Sequence, residues 1–493
     1  HLPWPWRDAW IRSKKMTDAI IWLVALPLTG ALAALVLPRA ATAVAMGTGL
    51  ATTVAAGALL YGVSARGALH YEVGGWAAGL GIALRADGLS GLLLIMIALV
   101  MLATSVYASA YFRQADERAR FWPLWLLLWT ALNALLLSGD LFNLYVTLEL
   151  LGLSAVALAA IAGKRAAVEA ALRYLLVGLL GSMLFLAGVS LIYAGYGTLD
   201  MGQLARTLVA EPVAWSALAL MTTGLLLKTA LFPLHFWLPP AHASAPAPVS
   251  AVLSALVVKA AFYLVLRLWL DVFANVITPA AANLLGLLGA GAVLWGSWHA
   301  LQAKRLKLLA AYSTVAQLGY LFLFFPLLQA LPPGATRELA AGGLVMLALT
   351  HGFAKAGLFL AIGIIQQRCG HDTISDLDGT AQRLPATTFA IALAGVALIG
   401  LPPSGAFLGK WQLLAGAVET GQWLWLVVTA VGSLMAAAYI FRVLGHAFGH
   451  RPYPHQPLTV AIEEWPALLL TSMAALGMGL AGASVWELVE IGR

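Results

Sequence analysis

The fold is decided by residues 225–270, LLLKTALFPLHFWLPPAHASAPAPVSAVLSALVVKAAFYLVLRLWL. Lys228 and Lys259 lie inside apolar runs of helical length, and five prolines lie between them. A charged side chain in the hydrocarbon region is costly, so a lysine there indicates a function. Proline interrupts a helix, and a membrane tolerates this only where protein or a water-filled cavity surrounds the break. The stretch therefore predicts ionisable groups beside a broken membrane helix, as an ion path requires.

The composition is that of an integral membrane protein. Of 493 residues, 61% are hydrophobic and only 10% are charged, whereas a soluble domain carries roughly a quarter charged residues. The single cysteine, Cys369, excludes an intramolecular disulfide and a cysteine-based metal cluster. No basic stripe with interleaved aromatic residues and no glycine-rich phosphate loop is present, which argues against a nucleic-acid partner. The net charge of +7 is therefore interpreted through the basic residues of the loops, which indicate the side of the membrane on which each loop lies.

The apolar runs predict an all-α protein of about fourteen transmembrane helices, since a span needs roughly 20 apolar residues. The first nineteen residues are interpreted as an N-terminal extension and residues 20–493 as a single transmembrane domain. The predicted spans are 20–37, 41–63, 88–111, 121–139, 141–162, 170–195, 213–238, 247–270, 280–300, 308–329, 340–367, 387–414, 422–446 and 464–490.

Two of these spans are predicted to be broken. The seventh contains Pro233, and the twelfth contains the sequence LPPSG at residues 401–405. A pair of proline- or glycine-interrupted segments in corresponding halves is typical of a transporter site built from repeats. The interval from the seventh to the twelfth helix indicates a five-helix repeat.

The loop charges predict the orientation of the bundle. One alternating set of loops holds thirteen basic residues: Arg39, Arg113, Arg118, Arg120, Lys164, Arg165, Lys304, Arg305, Lys307, Arg368, Arg383, Arg442 and Arg451. The other set holds four: Arg66, Arg85, Arg206 and Arg337. The positive-inside rule places the first set in the cytoplasm and both termini on the outer face, although the basic N-terminal extension argues for the reverse.

Seven ionisable residues within the predicted spans are candidate site residues: Glu149, Lys228, His235, Lys259, His351, Lys355 and Lys410. Glu149 lies about nine residues into its helix, roughly 13 Å from its end, too deep for a short carboxylate to reach water. Lys228 is its natural partner, because moving a nearby carboxylate changes the proton affinity of a buried lysine. The pair is interpreted as a proton switch; the alternative is a static ion pair between helices.

The remaining candidates extend this pair into a path. Lys228, Lys259 and Lys410 are predicted to form a series of protonatable sites, unless Lys410 lies near the outer end of its helix. His351 and Lys355 are four residues apart and share a helix face. His235 and His351 could relay protons or be satisfied core histidines. His242 is interpreted as a loop residue at the cytoplasmic mouth. No metal-ligand spacing links the histidines, so neither a metal nor a cofactor is predicted.

Five segments carry a family resemblance: SGDLFNLYVTLELLGLSAVAL (138–158), LLLKTALFPLHFWLPPAHASAPAPVSAVLSALVVKAAFY (225–263), KRLKLLAAYSTVAQLGYL (304–321), HGFAKAGLFL (351–360) and LPPSGAFLGKW (401–411). They resemble the antiporter-like subunits shared by respiratory complex I and the Mrp-type cation/proton antiporters. The SGDLFNLY segment and Lys410 are most similar to the D-type branch of the Mrp subunits. His242 is also similar to complex I relatives. The chain's end soon after the fourteenth helix disfavours the largest complex I antiporter-like subunit.

The resemblance implies two inverted five-helix repeats, helices 4–8 (about 121–270) and 9–13 (about 280–446), with helices 7 and 12 broken. It implies that Glu149 and Lys228 form the key pair. Lys259 and His351 would belong to a central hydrophilic axis, Lys307 would begin the tenth helix, and Lys410 would complete the outer half-channel.

The function expected from the sequence is proton translocation within a multisubunit membrane complex. The first interpretation is a bacterial inner-membrane antiporter that couples protons to sodium or another monovalent cation, with other membrane subunits as partners. The first alternative is a pumping subunit of complex I, a membrane-bound hydrogenase or a related redox complex, in which this chain has no redox centre of its own. The second alternative is a non-conducting scaffold subunit.

Overall fold

The computed structural model describes residues 4–76, 81–449 and 461–492. The helices of the first part are α1 (Trp4–Val36), α2 (Ala41–Arg66), α3 (Gly88–Tyr111), α4 (Ala115–Leu137), α5 (Leu141–Ala160), α6 (Arg165–Tyr196), α7 (Met201–Thr207), α8 (Pro212–Thr229), α9 (Leu238–Ser244), α10 (Ala247–Val252) and α11 (Val258–Arg267). The helices of the second part are α12 (Pro279–Gln302), α13 (Leu306–Phe322), α14 (Phe324–Ala330), α15 (Ala335–Cys369), α16 (Thr380–Arg383), α17 (Pro385–Ile399), α18 (Gly405–Glu419), α19 (Trp423–Ala447), α20 (Glu464–Ser472), α21 (Met478–Leu480) and α22 (Gly482–Glu490).

One π-turn joins α10 to α11, and a second π-turn extends α11, so that the four elements form one long helix. The π-turns cover Leu253–Val257 and Leu268–Val272, and together the elements form a continuous helix from Ala247 to Val272. A π-turn shifts the hydrogen-bond ladder by one residue and is frequent at functional sites. The first of these turns lies directly before Lys259.

A short β-hairpin marks one side of the bundle. Strands β1 (Leu69–Glu72) and β2 (Ala83–Ala86) pair antiparallel. An isolated bridge from Leu84 to Ser138 fixes the hairpin over the link between α4 and α5. We call this side of the membrane domain the hairpin face. Helix α3 starts there, and the opposite face holds the link between α12 and α13.

The described helices confirm a multi-pass membrane protein. Eleven are long and apolar enough to cross a membrane, and a bent pair, Glu464–Leu480 with Gly482–Glu490, brings the number to twelve in the described part of the chain. The first of the eleven apolar segments is Ala19–Val36, close to the predicted start at residue 20. The two remaining predicted spans coincide with interrupted helices. The count of fourteen and the repeat relation stay predictions.

Both predicted interruptions are present. Helix α8 ends at Thr229, and the next helix, α9, begins at Leu238. Helix α17 ends at Ile399 and α18 begins at Gly405. Each gap contains a cis X-Pro bond, at Pro233 and at Pro403. Because α8 and α17 end inside the protein, their last carbonyl groups lack donors within the helix and need donors other than water.

Burial separates central helices from peripheral ones. Every residue in the most apolar part of the Ala247–Val272 helix and of α15 is buried inside the protein, compared with 28% in α2 and 33% in α6. A helix that is apolar all round is expected at the centre of a bundle. The two central helices carry Lys259, His351 and Lys355, so these side chains lie away from lipid.

Helices α6 and α8 touch backbone to backbone. A Cβ atom placed on Gly224 of α8 would overlap the carbonyl oxygen of Gly181 of α6. A Cβ atom on Gly181 would lie 3.3 Å from Cγ of Lys228. Small residues allow this close approach in membranes, where packing rather than water exclusion holds helices together. The contact fixes the position of Lys228 relative to α6.

We expect Gly224→Ala to destabilise the purified protein, because the new methyl group meets backbone that cannot move aside. Overpacking of this kind costs about 1–3 kcal/mol. Gly178→Ala is the matched control, since Gly178 lies on α6 with nothing within 4 Å of its Cβ position. An alanine there improves helix propensity by about 1 kcal/mol. Thermal unfolding in detergent should move the two variants in opposite directions; equal midpoints would refute the packing argument.

Candidate functional site: a buried axis of lysines and histidines

Glu149 and Lys228 form an ion pair between α5 and α8. The Lys228 Nζ atom lies 3.4 Å from Oε1 of Glu149, with side chains 8% and 20% exposed, respectively. The hydroxyl of Ser182, on α6, donates a hydrogen bond to the same carboxylate oxygen. A small cavity is lined by both charged residues together with Gly152, Tyr174 and Gly178. The predicted pairing is therefore present, and the carboxylate borders a small cavity.

The break in the seventh span begins directly after Lys228. The lysine lies in the last turn of α8, and the helix ends through Ala230 in the left-handed region, with φ of 56°. That conformation is uncommon for a residue with a Cβ and costs about 1–2 kcal/mol. A cation in the last turn is favoured by the helix dipole. The end of α8 therefore stabilises a positive charge at Lys228 in addition to Glu149.

Lys259 lies on α11, immediately after a π-turn. Its Nζ donates to the carbonyl oxygen of Ser254 at 3.2 Å, and the side chain is 3% exposed. The Ser254 hydroxyl lies 2.7 Å from that of Thr314, which connects the Ala247–Val272 helix to α13. The π-turn thus offers Lys259 a backbone acceptor within its own helix.

Lys355 and His351 share one face of α15, as predicted, and both are fully buried. The Nζ atom of Lys355 donates to the carbonyl of Ala310 at 2.9 Å and to the hydroxyl of Ser313. His351 lies within electrostatic reach of Lys259, Lys355 and Lys410. Neither ring nitrogen of His351 has a hydrogen-bond partner among the described residues. His351 and these three lysines therefore form one electrostatic cluster.

Lys410 binds the broken end of α17. Its Nζ donates to the carbonyl of Ile399 at 2.9 Å and to the hydroxyl of Ser433 at 3.0 Å. The ammonium also lies 4.2 Å from the centre of the Tyr320 ring, a favourable cation–π contact. Lys410 is 5% exposed, so it is a core residue and not a helix-end residue that reaches an aqueous interface.

Lys307 extends the cluster towards the face opposite the hairpin. It begins α13, and its Nζ donates to the carbonyl of Ala245 at 2.6 Å. Asp372 accepts from the Lys307 backbone amide at 3.3 Å and from Nε of Arg305 at 2.8 Å. The carboxylate therefore anchors the backbone of Lys307, while the ammonium is held by a carbonyl at the α9–α10 link.

The interpretation of His242 as a loop residue at an aqueous mouth is wrong. His242 lies on α9, is fully buried and stacks on Phe359 of α15 with ring centres 4.9 Å apart. It is within electrostatic reach of Lys307 and Lys355. Two prolines at the start of α9 fold the segment back into the bundle, which its proline content alone did not indicate. His242 therefore joins the axis between these two lysines.

His235 occupies the first break and does not join the central cluster. It is 8% exposed and stacks against Phe232 with ring centres 5.7 Å apart. Its neighbour across the break is His299 of α12. No hydrogen bond or ion pair links Lys228 to Lys259 within the ranges that the structure describes. Nor do three or more histidine, cysteine or acidic side chains gather there as a metal site would require.

One charge cluster on the hairpin face, centred on Arg267, was not predicted from the sequence. Arg267, 6% exposed, donates to Asp87 at 2.5 Å and to Asp271 at 2.8 Å. Its Nε donates to the hydroxyl of Tyr263 at 2.9 Å. Arg267 lies inside the predicted span 247–270, and Lys259, Tyr263, Arg267 and Asp271 recur every four residues. That helical spacing was the available signal.

Comparison with known proteins places this site in a family. A family described as NADH:quinone oxidoreductase/Mrp antiporter, TM, matches residues 138–436, which contain both breaks and all the candidate site residues. The N subunit of the NADH-quinone oxidoreductase of Desulforudis audaxviator is 37% identical over 425 residues, 83% of each chain. The D subunit of the Na(+)/H(+) antiporter of Alkalihalophilus pseudofirmus is 27% identical over 385 residues, 76% of this chain and 75% of that one.

A solved structure of an Mrp complex contains a chain with the same fold. A chain in the structure of the Mrp complex from Dietzia sp. DQ12-45-1b superposes with a TM-score of 0.87 at 26% identity, covering 96% of both chains. The match in sequence extends over more than half of the chain and includes the segment that decides its fold. The chain belongs to the family of antiporter-like membrane subunits shared by NADH:quinone oxidoreductases and Mrp antiporters.

Proposed function

We propose that this chain moves protons through the membrane along a buried axis. The axis runs from Lys228 through Lys259, His351 and Lys355 to Lys410. One observation carries the proposal: Lys259, Lys355 and Lys410 are buried around His351, and in the described part of the chain none of the three forms an ion pair with a carboxylate. A buried ammonium without a counterion is costly, and the cost falls when its proton leaves. Such lysines are suited to exchanging protons, since each is held by neutral acceptors.

Glu149 is proposed to switch the first lysine of the path. At 3.4 Å the carboxylate stabilises a proton on Lys228. When the carboxylate moves or is itself protonated, that stabilisation is lost and the proton passes towards Lys259. The cavity beside Glu149, of about 10 Å³, is about the smallest volume that holds a water molecule. Such a water would give the carboxylate a partner besides the Ser182 hydroxyl that already binds it.

The central cluster then carries protons to the second break. His351 interacts with Lys259, Lys355 and Lys410, and neutral imidazole can both accept and donate a proton. His242 connects Lys355 with Lys307, which provides a branch towards the face opposite the hairpin. His235 stands apart, in the first break. Lys410 completes the path at the second break.

The setting that we propose is a multisubunit cation/proton antiporter, with this chain as its D-type Mrp subunit, in a bacterial inner membrane with both termini outside. Its partners would be other membrane subunits, with H⁺ and Na⁺ or another monovalent cation as transported ions. A single transmembrane domain with repeats at about 121–270 and 280–446 fits this assignment. The relative named as the D subunit of a Na(+)/H(+) antiporter and the match to the Mrp complex support it.

A second setting is favoured by a specific observation. The relative from an NADH-quinone oxidoreductase is 37% identical, against 27% for the antiporter subunit. In a redox complex the same path would be driven by electron transfer in other subunits. Purification of the native complex and identification of its subunits by mass spectrometry separates the two. Mrp-type subunits would establish antiport, whereas subunits with iron–sulfur centres would establish redox pumping.

We expect Glu149→Gln and Lys228→Met each to abolish driven proton translocation in inverted vesicles. Each single variant also leaves a buried charge without its partner, which destabilises by about 3–5 kcal/mol. The double variant E149Q/K228M removes both charges and should regain stability while remaining inactive. Glu169→Gln is the control, because the Arg165–Glu169 pair is exposed, with side chains 94% and 55% accessible. An active double variant would show that the pair is a static link between helices.

We expect Lys410→Arg to be as inactive as Lys410→Met. An arginine keeps the positive charge at the end of α17 but does not release its proton. If Lys410 only neutralised the carbonyl groups of Leu398 and Ile399, the arginine variant would retain full proton flux. The assay is acidification of inverted vesicles that contain equal amounts of assembled complex, and full activity of Lys410→Arg would remove this lysine from the path.

A further inference from the structure

A cavity opens on the hairpin face next to the first half of the axis. It has a volume of 650 Å³, and its lining includes His70, Glu72, Arg206, Arg267 and Asp271. His70, Glu72 and Arg206 are exposed, so the cavity communicates with the aqueous phase on that side. Its inner wall is formed in part by Tyr263, one helical turn from Lys259. Water in this cavity therefore reaches Tyr263, which lies one helical turn from Lys259 on the proposed path.

A proton on Lys259 has a short geometric route to this cavity. Lys259, Tyr263, Arg267 and Asp271 lie four residues apart on one helix and so share a face. Lys259 and Tyr263 line a common cavity of 10 Å³, about the smallest volume that holds one water molecule. If this face conducted protons, those on Lys259 would leave before reaching Lys410. A path that couples protons across the whole axis needs a barrier here.

Arg267 has the properties of that barrier. Its guanidinium is buried between Asp87 and Asp271 at 2.5 and 2.8 Å, and arginine does not deprotonate in proteins. Asp87 is bound in turn by Arg85 at 3.5 Å and begins α3 on the hairpin face. The carboxylate of Asp271 lies one turn beyond Arg267 on the side away from Lys259. The guanidinium therefore lies between Asp271 and the Tyr263 hydroxyl, which is one helical turn closer to Lys259.

Tyr263 is also prevented from relaying a proton. Its hydroxyl donates to the carbonyl oxygen of Leu136 at 3.0 Å and accepts from Nε of Arg267 at 2.9 Å. The hydroxyl proton is held by a backbone carbonyl, which does not take it, and the oxygen is occupied by a donor that does not give its proton up. The Tyr263 hydroxyl therefore can neither pass its proton on to Leu136 nor receive one from Arg267.

We propose that Arg267 seals the first half of the axis against the cavity on the hairpin face, so that protons on Lys259 continue along the axis. The inference rests on the proposed function. Arg267 is a positioning residue in this role, since it acts on the path through its charge and through Tyr263. The seal also explains why two charged residues that the path does not use, Asp87 and Arg267, are buried beside it.

The test is passive proton leak in proteoliposomes that contain the assembled complex, measured with a pH-sensitive dye after an acid jump and without any driving reaction. Arg267→Gln should raise the leak about tenfold, because it removes the repulsion of a unit charge about 12 Å from Lys259 at an effective dielectric constant of about 20. The variant R267Q/K259M should return the leak to the wild-type value, since the route passes through Lys259.

Two further variants separate sealing from folding. D87N/R267Q removes the carboxylate that a lone Arg267→Gln would leave uncompensated, so it assembles more readily. It should leak more than the wild type, because the Tyr263 hydroxyl loses its guanidinium donor, and less than Arg267→Gln, because its net charge equals that of the wild type. Arg368→Gln is the control, because it breaks another arginine–carboxylate contact, with Glu463 at 2.7 Å, away from the hairpin face, and should leave the vesicles tight. Assembled R267Q and D87N/R267Q complexes as tight as the wild type would overturn the seal, as would a leak that persists in R267Q/K259M.

The leak assay tests the seal independently of the translocation assay that tests the proposed proton path. If the wild type translocates protons when driven and R267Q is tight, the seal alone is wrong. If E149Q/K228M translocates protons normally, the proposed function is wrong whatever the leak assay gives.

Discussion

The structure depends on how a buried ammonium group is accommodated without a counterion. Four lysines, Lys259, Lys307, Lys355 and Lys410, each donate a hydrogen bond to a backbone carbonyl oxygen. A carbonyl accepts from an amine in either protonation state, so a lysine held in this way can lose its proton and keep its position. A carboxylate partner would instead favour the charged form strongly. Carbonyl acceptors therefore suit lysines that exchange protons, and within the described ranges only Lys228 is paired with an acid.

Three of these carbonyl groups lie where regular helices are interrupted; the fourth, that of Ala310, lies within α13. A continuous helix satisfies its carbonyls internally, and in a membrane it must do so. The end of α17 frees the carbonyls that bind Lys410, the π-turn before α11 frees the one that binds Lys259, and the α9–α10 link frees the one that binds Lys307. The prolines and the lysines of the sequence are thus parts of one arrangement, in which the breaks supply most of the acceptors.

Arginine and lysine have opposite roles in this protein. Lys259, Lys307, Lys355 and Lys410 are held by neutral groups, whereas Arg267 is held by two carboxylates and a tyrosine hydroxyl. A guanidinium stays charged and has a rigid fork of donors, while an ammonium changes its protonation state when it is buried. The same helix, Ala247–Val272, carries both types two turns apart. In the proposed function it thereby combines a site that exchanges protons with a site that does not.

The sequence by itself determined the membrane class, the two breaks and the shared face of His351 and Lys355. Each follows from local rules: hydropathy, proline chemistry or helical spacing. The Glu149–Lys228 pair was expected instead from the cost of two buried charges and from the family resemblance. Only the tertiary structure decided what surrounds these residues. It moved His242 from an expected aqueous mouth into the core, because α9 folds back against α15. It joined Arg267 to Asp87, 180 positions earlier in the chain. Contacts between segments far apart in sequence follow from packing geometry, which leaves no periodic signal in a single chain.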